Sequence, residues 1–95
     1  MDKERSTITV KEINKYRKIT EKAFEIAKNS INKDKQKEAK EIIEMVDCYL
    51  KDSIHFENKK DLINAFGAIY YAHGWLDSGA RLKIFNVTDN TLFTI

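Results

Sequence analysis

The sequence predicts an all-α protein, an antiparallel up-down-up three-helix bundle with a short extended apolar tail at its C-terminus. Two observations carry that reading. Apolar residues recur at alternating spacings of three and four in three segments of about 20 residues, which is the pattern of a helix with one buried face. The chain also has no proline and only three glycines, Gly67, Gly74 and Gly79, so its loops must be short and few. Segments of that length each reach roughly 30 Å, and short connections force neighbours to run antiparallel.

The first helix, about residues 10–29, opens at Thr9-Val10-Lys11-Glu12. That run has the form of a capping box, in which the Thr9 hydroxyl accepts from a first-turn amide and Glu12 reaches back to Thr9. Ile13, Tyr16, Thr20, Ala23 and Ala27 form its stripe, widened by Phe24 and Ile31, with Lys11, Lys15, Lys18 and Lys22 opposite. The polar run from Asn29 to Asp34 supplies a turn, and Asn32 or Asp34 can cap the next helix. That second helix, about 34–57, carries Ala39, Ile42, Val46, Tyr49, Ser53 and Phe56, flanked by Ile43, Leu50 and Ile54. Glu57 to Asp61 breaks the pattern, and Asn58 or Asp61 can cap the third helix, about 61–82, built on Leu62, Ala65, Ile69, Ala72, Leu76 and Ala80. The expected core is Ile13, Tyr16, Ala23, Ala27, Ile42, Val46, Tyr49, Phe56, Leu62, Ile69, Ala72 and Leu76.

After Arg81 the period changes. Ile84, Phe85 and Val87 precede the polar turn Thr88-Asp89-Asn90-Thr91, and Leu92, Phe93 and Ile95 follow. Closing these pieces as a tight hairpin would leave apolar groups on both faces, and a lone hairpin is marginal in water. The tail, residues 84–95, is therefore expected to be extended or weakly paired and to pack on the bundle. One domain over residues 1–95 follows from the length and the lack of any linker.

The third helix is apolar almost all the way round, which implies cover on more than one side. With Leu62, Ala65, Ile69, Ala72 and Leu76 inward, the residues Gly67, Tyr71, Gly74, Trp75 and Ser78 point outward. A glycine inside a helix costs about 1 kcal/mol relative to alanine, so two of them on an outward face require a reason. The plain expectation is that the tail folds over this face. The functional alternative is that a second subunit or another protein docks there.

Composition narrows the classes. The 42% hydrophobic and 34% charged residues suit a folded domain rather than a disordered chain. A single cysteine, Cys48, cannot close an internal disulfide. Its place in a helical pattern suggests a buried free thiol and a reducing, cytoplasmic setting. The opening Met1-Asp2-Lys3-Glu4-Arg5 lacks the apolar run of a secretory signal. The longest apolar run, Ala68 to Ala72, is stopped by His73, far short of the roughly 20 residues a membrane span requires. The net charge of +2 is mostly lysine, with only Arg5, Arg17 and Arg81 to offer the planar fork suited to phosphate or guanine.

The run Tyr70-Tyr71-Ala72-His73-Gly74-Trp75-Leu76-Asp77-Ser78-Gly79-Ala80-Arg81-Leu82, ending Ile84-Phe85, resembles the signature of the short archaeal proteins grouped as domain of unknown function 357. Tyr49-Leu50-Lys51-Asp52-Ser53 ahead of a polar turn is similar to that family's middle, and Leu92-Phe93-Thr94 to its end. The resemblance extends from about Tyr16 onward and implies a three-helix bundle without implying an activity. Some relatives carry the domain beside a nucleotidyltransferase-like domain, which implies an accessory role. Lys83 departs from the pattern, since relatives tend toward glycine there, and the exit from the third helix should be less relaxed.

Candidate chemistry is sparse. Asp52-x-x-His55 and His73-x-x-x-Asp77 each set an imidazole and a carboxylate on one helical face, the spacing of carboxylate-bridged metal bundles. The two histidines fall roughly 15 Å apart when the helices fold back near Lys59, so they cannot share a metal; no metal and no cofactor is expected. His73, Asp77 and Arg81 follow one another at four-residue spacing, either as a stabilising ladder or, with Tyr49 and Tyr70, as a polar recognition patch. No nucleophile has a base at a readable spacing, and no glycine-rich loop precedes a helix, so no catalytic residue is assigned. Lys28, Lys33, Lys35, Lys37 and Lys40 make the tip between the first two helices basic, but without the arginines or interleaved aromatics of a nucleic-acid reader. The expected function is a non-catalytic structural or protein-interaction module that self-associates through the outward face of the third helix. The alternative is weak binding of RNA or another polyanion at the lysine-rich tip.

Overall fold

A computed structural model of the chain describes residues 7–95, and the charged opening Met1 to Arg5 lies outside them. The described residues form three helices and no strand: α1 (Val10–Lys28), α2 (Gln36–Asn58) and α3 (Leu62–Arg81), with a single 3-10 turn, Lys33–Lys35, ahead of α2. The helices pack on one another as a three-helix bundle, and α3 is the helix on which the other two rest. Its nearly all-round apolar sequence is the cause, because it meets neighbours on two flanks.

The helix ends follow local chemistry. Thr9 forms the full capping box with Glu12, and Asp61 caps α3 by accepting from Asn64 N. The second helix begins two residues later than its expected start at 34. Asn32 caps the intervening 3-10 turn through Asp34 N, and the tighter winding delays the α-helical ladder. Both α2 and α3 end in a Schellman motif. Asp61 N donates to Phe56 O and Lys60 N to Glu57 O, while Ile84 N donates to Gly79 O and Lys83 N to Ala80 O. The residue at the turn is left-handed in each, with φ of 61° at Lys60 and 62° at Lys83. This backbone usually takes glycine, so the lysine at 83 makes the less relaxed exit expected of it.

Two polar or apolar plugs hold the ends of the bundle. At one end Arg17, only 9% exposed, bridges α1 and α2. Its Nε donates to Ser53 Oγ at 3.1 Å and its Nη1 to Asn14 Oδ1 at 3.0 Å. Nη1 also lies 2.7 Å from Glu57 Oε1, an ion pair in distance without the alignment of a hydrogen bond. At the other end the tail fills the core: Ile84, Phe85 and Phe93 are buried with Ala23, Phe24, Ala27, Ala39, Ile42, Leu76 and Ala80. Phe85 pairs with Ile31 in an isolated bridge, and its ring occupies the space where Gly79 lacks a side chain.

The core departs from expectation in two ways. Tyr16, Tyr49, Phe56 and Leu62 are half-buried rather than central, since each sits at the edge of its stripe and keeps one side toward solvent. Ala65, Ala68 and Ala80 and the tail residues take their share of the interior. Cys48 is exposed, not buried. Two residues from Val46 it lies about 200° round α2, on the solvent side of the helix.

Candidate functional site

The outward residues of α3 are bare. Gly67, Tyr71, Gly74 and Ser78 are exposed, and Trp75 is half-buried against α2. The expectation that the tail covers this face is overturned. The tail instead runs along the opposite flank of α3, in its groove with α1, because that is where its polar anchors lie. His73 Nε2 is 2.8 Å from the Leu92 carbonyl oxygen and its Nδ1 is 3.0 Å from Thr20 Oγ1. A carbonyl only accepts, so Nε2 carries a proton, and in the neutral ring Nδ1 accepts from Thr20. Thr94 N donates to Asp77 Oδ1 at 2.9 Å. Asp89 closes the turn of the tail, accepting from Thr91 Oγ1, Thr91 N and Leu92 N. Those bonds, the Thr91 hydroxyl first, hold its carboxyl below the usual aspartate value.

The five residues read as a polar patch are therefore not brought together. His73 and Asp77, 3.7 Å apart, are engaged by the chain's own tail. Arg81 is exposed at the end of the same helix. Tyr70 stands among Tyr16 and Phe66 on the α1 side, with ring centroids 5.9 and 4.7 Å away. Tyr49 lies across α3 against Tyr71, edge to face at 4.6 Å. Partial burial first, and then Tyr71, push its phenol above the ordinary value.

The apolar exposure that remains is concentrated on α3. Ile63 is 69%, Tyr70 54%, Tyr71 56% and Leu82 65% exposed. Between this ridge and α2 runs an open groove. At its upper end a depression of about 490 Å³ is lined by Glu38, Glu41 and Met45 of α2, by Trp75 and Ser78 of α3, and by Leu82 and Ile84 just beyond that helix. A shallower one beside it involves Tyr71, Gly74 and Trp75, and a third is bounded by Tyr49, Asp52, Gly67 and Tyr71. A side chain grafted onto Gly67 or Gly74 would meet nothing within 4 Å, whereas one on Gly79 would strike the Phe85 ring at 2.5 Å. Gly79 thus has a packing reason, and among the described residues the other two have none.

Of the basic tip, Lys28 is tied to Glu25 at 3.0 Å and lies 4.4 Å over the Phe24 ring. Lys33 and Lys35 belong to the 3-10 turn and Lys37 and Lys40 to the opening turns of α2. Among the described residues no group of three or more His, Cys, Asp or Glu side chains converges as a metal ion requires, and no helix is long and apolar enough to cross a membrane. Arg17 and Ser53 escaped the sequence reading as partners. The signal was present, since both are polar residues on buried stripes at matching levels of antiparallel helices.

These features define a small helical bundle whose exposed apolar surface lies on its central helix. The chain belongs to the family described as protein of unknown function (DUF357), whose model matches residues 15–85. No curated protein and no solved structure matches it.

Proposed function

We propose that this chain is a non-catalytic, cytoplasmic protein-interaction module that docks another polypeptide on the outward face of α3. The observation that supports the reading is the bare ridge itself: aromatic and aliphatic side chains more than half exposed on one helix, beside two glycines with open space above them. Each glycine costs the helix about 1 kcal/mol, and nothing among the described residues offsets that cost. Close approach of a second backbone would. The occupant suggested by the sequence is a second copy of the chain.

Replacing Gly74 with Lys tests the reading. The added side chain has room, so circular dichroism should show a folded bundle. Sedimentation velocity should show any self-association lost, and binding of a protein partner should be abolished. If the variant keeps the parent's oligomeric state and its partners, the face is not a docking site.

A further inference from the structure

We propose that the α2–α3 groove receives a basic amphipathic helix from a different protein. This rests on the interaction reading and replaces its second copy with a different occupant of the same face. From Gly67 to Ser78 three depressions follow α3 over roughly 17 Å, about three turns of a partner helix, with the Tyr49–Tyr71 ring contact standing between the two that reach α2. The groove's floor is apolar, from Ile42 and Met45 under Trp75 at one end to Phe56 and Ala68 under Tyr71 at the other. On the α2 side it carries carboxylates at both ends, with Glu38 and Glu41 at the Trp75 end and Asp52 at the Gly67 end.

None of these three carboxylates has an ion pair among the described residues, where Asp47, Glu25 and Glu57 do. Unpaired charge of one sign beside an apolar trough selects a ligand that brings both an apolar row and the opposite charge. A row of residues at i, i+3 or i+4 and i+7 would seat over the trough, where the missing side chains of Gly67 and Gly74 let its backbone come close. Lysines or arginines on its α2 side would meet Glu38, Glu41 and Asp52.

The α1 and α3 faces of a second copy do not offer that combination. The lysines of α1 lie opposite an apolar stripe that is already inside the bundle. The ridge of α3 is apolar, with Arg81 its only cation, and it would leave the carboxylates of α2 unmatched. Charge thus separates the two occupants.

The probe is a 14-residue peptide with leucine at i, i+3, i+4 and i+7 and lysine elsewhere, set against the same peptide with glutamate for lysine. Trp75 is the only tryptophan and lies in the groove, so its emission reports occupancy directly. The lysine peptide should shift Trp75 emission, perturb amide resonances along the groove, and weaken with salt. The variant Glu38→Gln with Glu41→Gln should reduce its affinity about tenfold, while the glutamate peptide should not bind. Equal binding of the two peptides, or unchanged affinity in the double variant, overturns the proposal. So does a dimer, seen by sedimentation velocity, in which Trp75 is shielded without peptide; that outcome leaves the broader interaction reading standing. If neither peptide binds, the chain is monomeric, and Gly74→Lys changes nothing, both fall together.

Discussion

Substituting alanine at each of the three glycines of α3 separates the packing roles with opposite signs. All three lie in the interior of one helix, so each substitution gains about 1 kcal/mol in helix propensity. At Gly67 and Gly74 a new Cβ meets nothing within 4 Å, and the gain stands. At Gly79 the Cβ falls 2.5 and 2.6 Å from two ring atoms of Phe85 and 3.2 Å from Ile42 Cδ1. The ring is fully buried and would have to move by about 1 Å against packed neighbours. Overpacking of this kind costs typically 1–3 kcal/mol, and a rigid buried ring belongs at the upper end, so the net loss at Gly79 is about 2 kcal/mol. In a domain of this size 1 kcal/mol moves the melting temperature by roughly 4–8 °C. Thermal melts should rise for Gly67→Ala and Gly74→Ala and fall by roughly 10 °C for Gly79→Ala. Phe85→Leu placed with Gly79→Ala should recover part of the loss, because the smaller side chain vacates the contact. A Gly79→Ala protein as stable as the parent would refute the assignment of Phe85 to that space.

Four further outcomes are expected. Lys83→Gly and Lys60→Gly should each stabilise the fold by about 1 kcal/mol, since glycine meets no penalty in the left-handed position; unchanged denaturant midpoints would show that the motif is not formed in solution. Replacing Ile69, 1% exposed, with Ala should cost about 2 to 5 kcal/mol, and a change under about half a kcal/mol in the same melts would mean the wrong face of α3 is inward. The lowered Asp89 value adds stability that is fully present above the ordinary aspartate range and is lost as pH falls through the lowered folded value. Asp89→Asn should abolish that acid-side dependence, read from the tail amide resonances. At the lysine tip, labelled RNA should bind weakly, without sequence preference, and release as salt approaches physiological strength; binding that persists in salt and vanishes with Lys33→Glu and Lys37→Glu would favour the polyanion alternative.

The helices were legible because each is specified by neighbours in sequence. The Thr9 and Glu12 capping box, the Asp61 cap and the three apolar stripes are all local, and they reappear within two residues of their expected bounds. The tail was legible only in composition. Its apolar residues announced that it would pack, but its route depends on His73, Asp77 and Asp89 accepting or donating to backbone groups up to 19 residues away, and no periodicity encodes that. The polar patch dissolved for a related reason. A four-residue ladder fixes neighbours along one helix but says nothing about which segment fills the groove beside it. For Cys48 the helical phase was readable, and the apolar surroundings in sequence outweighed it wrongly. Helical phase places Gly67, Tyr71, Gly74 and Ser78 toward solvent, as they lie, but it does not show that Trp75 leans on α2 or that the tail lies elsewhere.

The placement of α3 between two helices that touch each other less than either touches it has a consequence for how changes combine. Substitutions on α1 and α2 away from the Arg17 bridge and from the end filled by the tail share no partner except α3, so their effects on stability should simply add. A change on either of those helices combined with one on the facing side of α3 should not. The central helix is thus the constrained one in sequence drift, obliged to fit two surfaces at once, while the helices on its flanks constrain each other only at the Arg17 bridge and the tail.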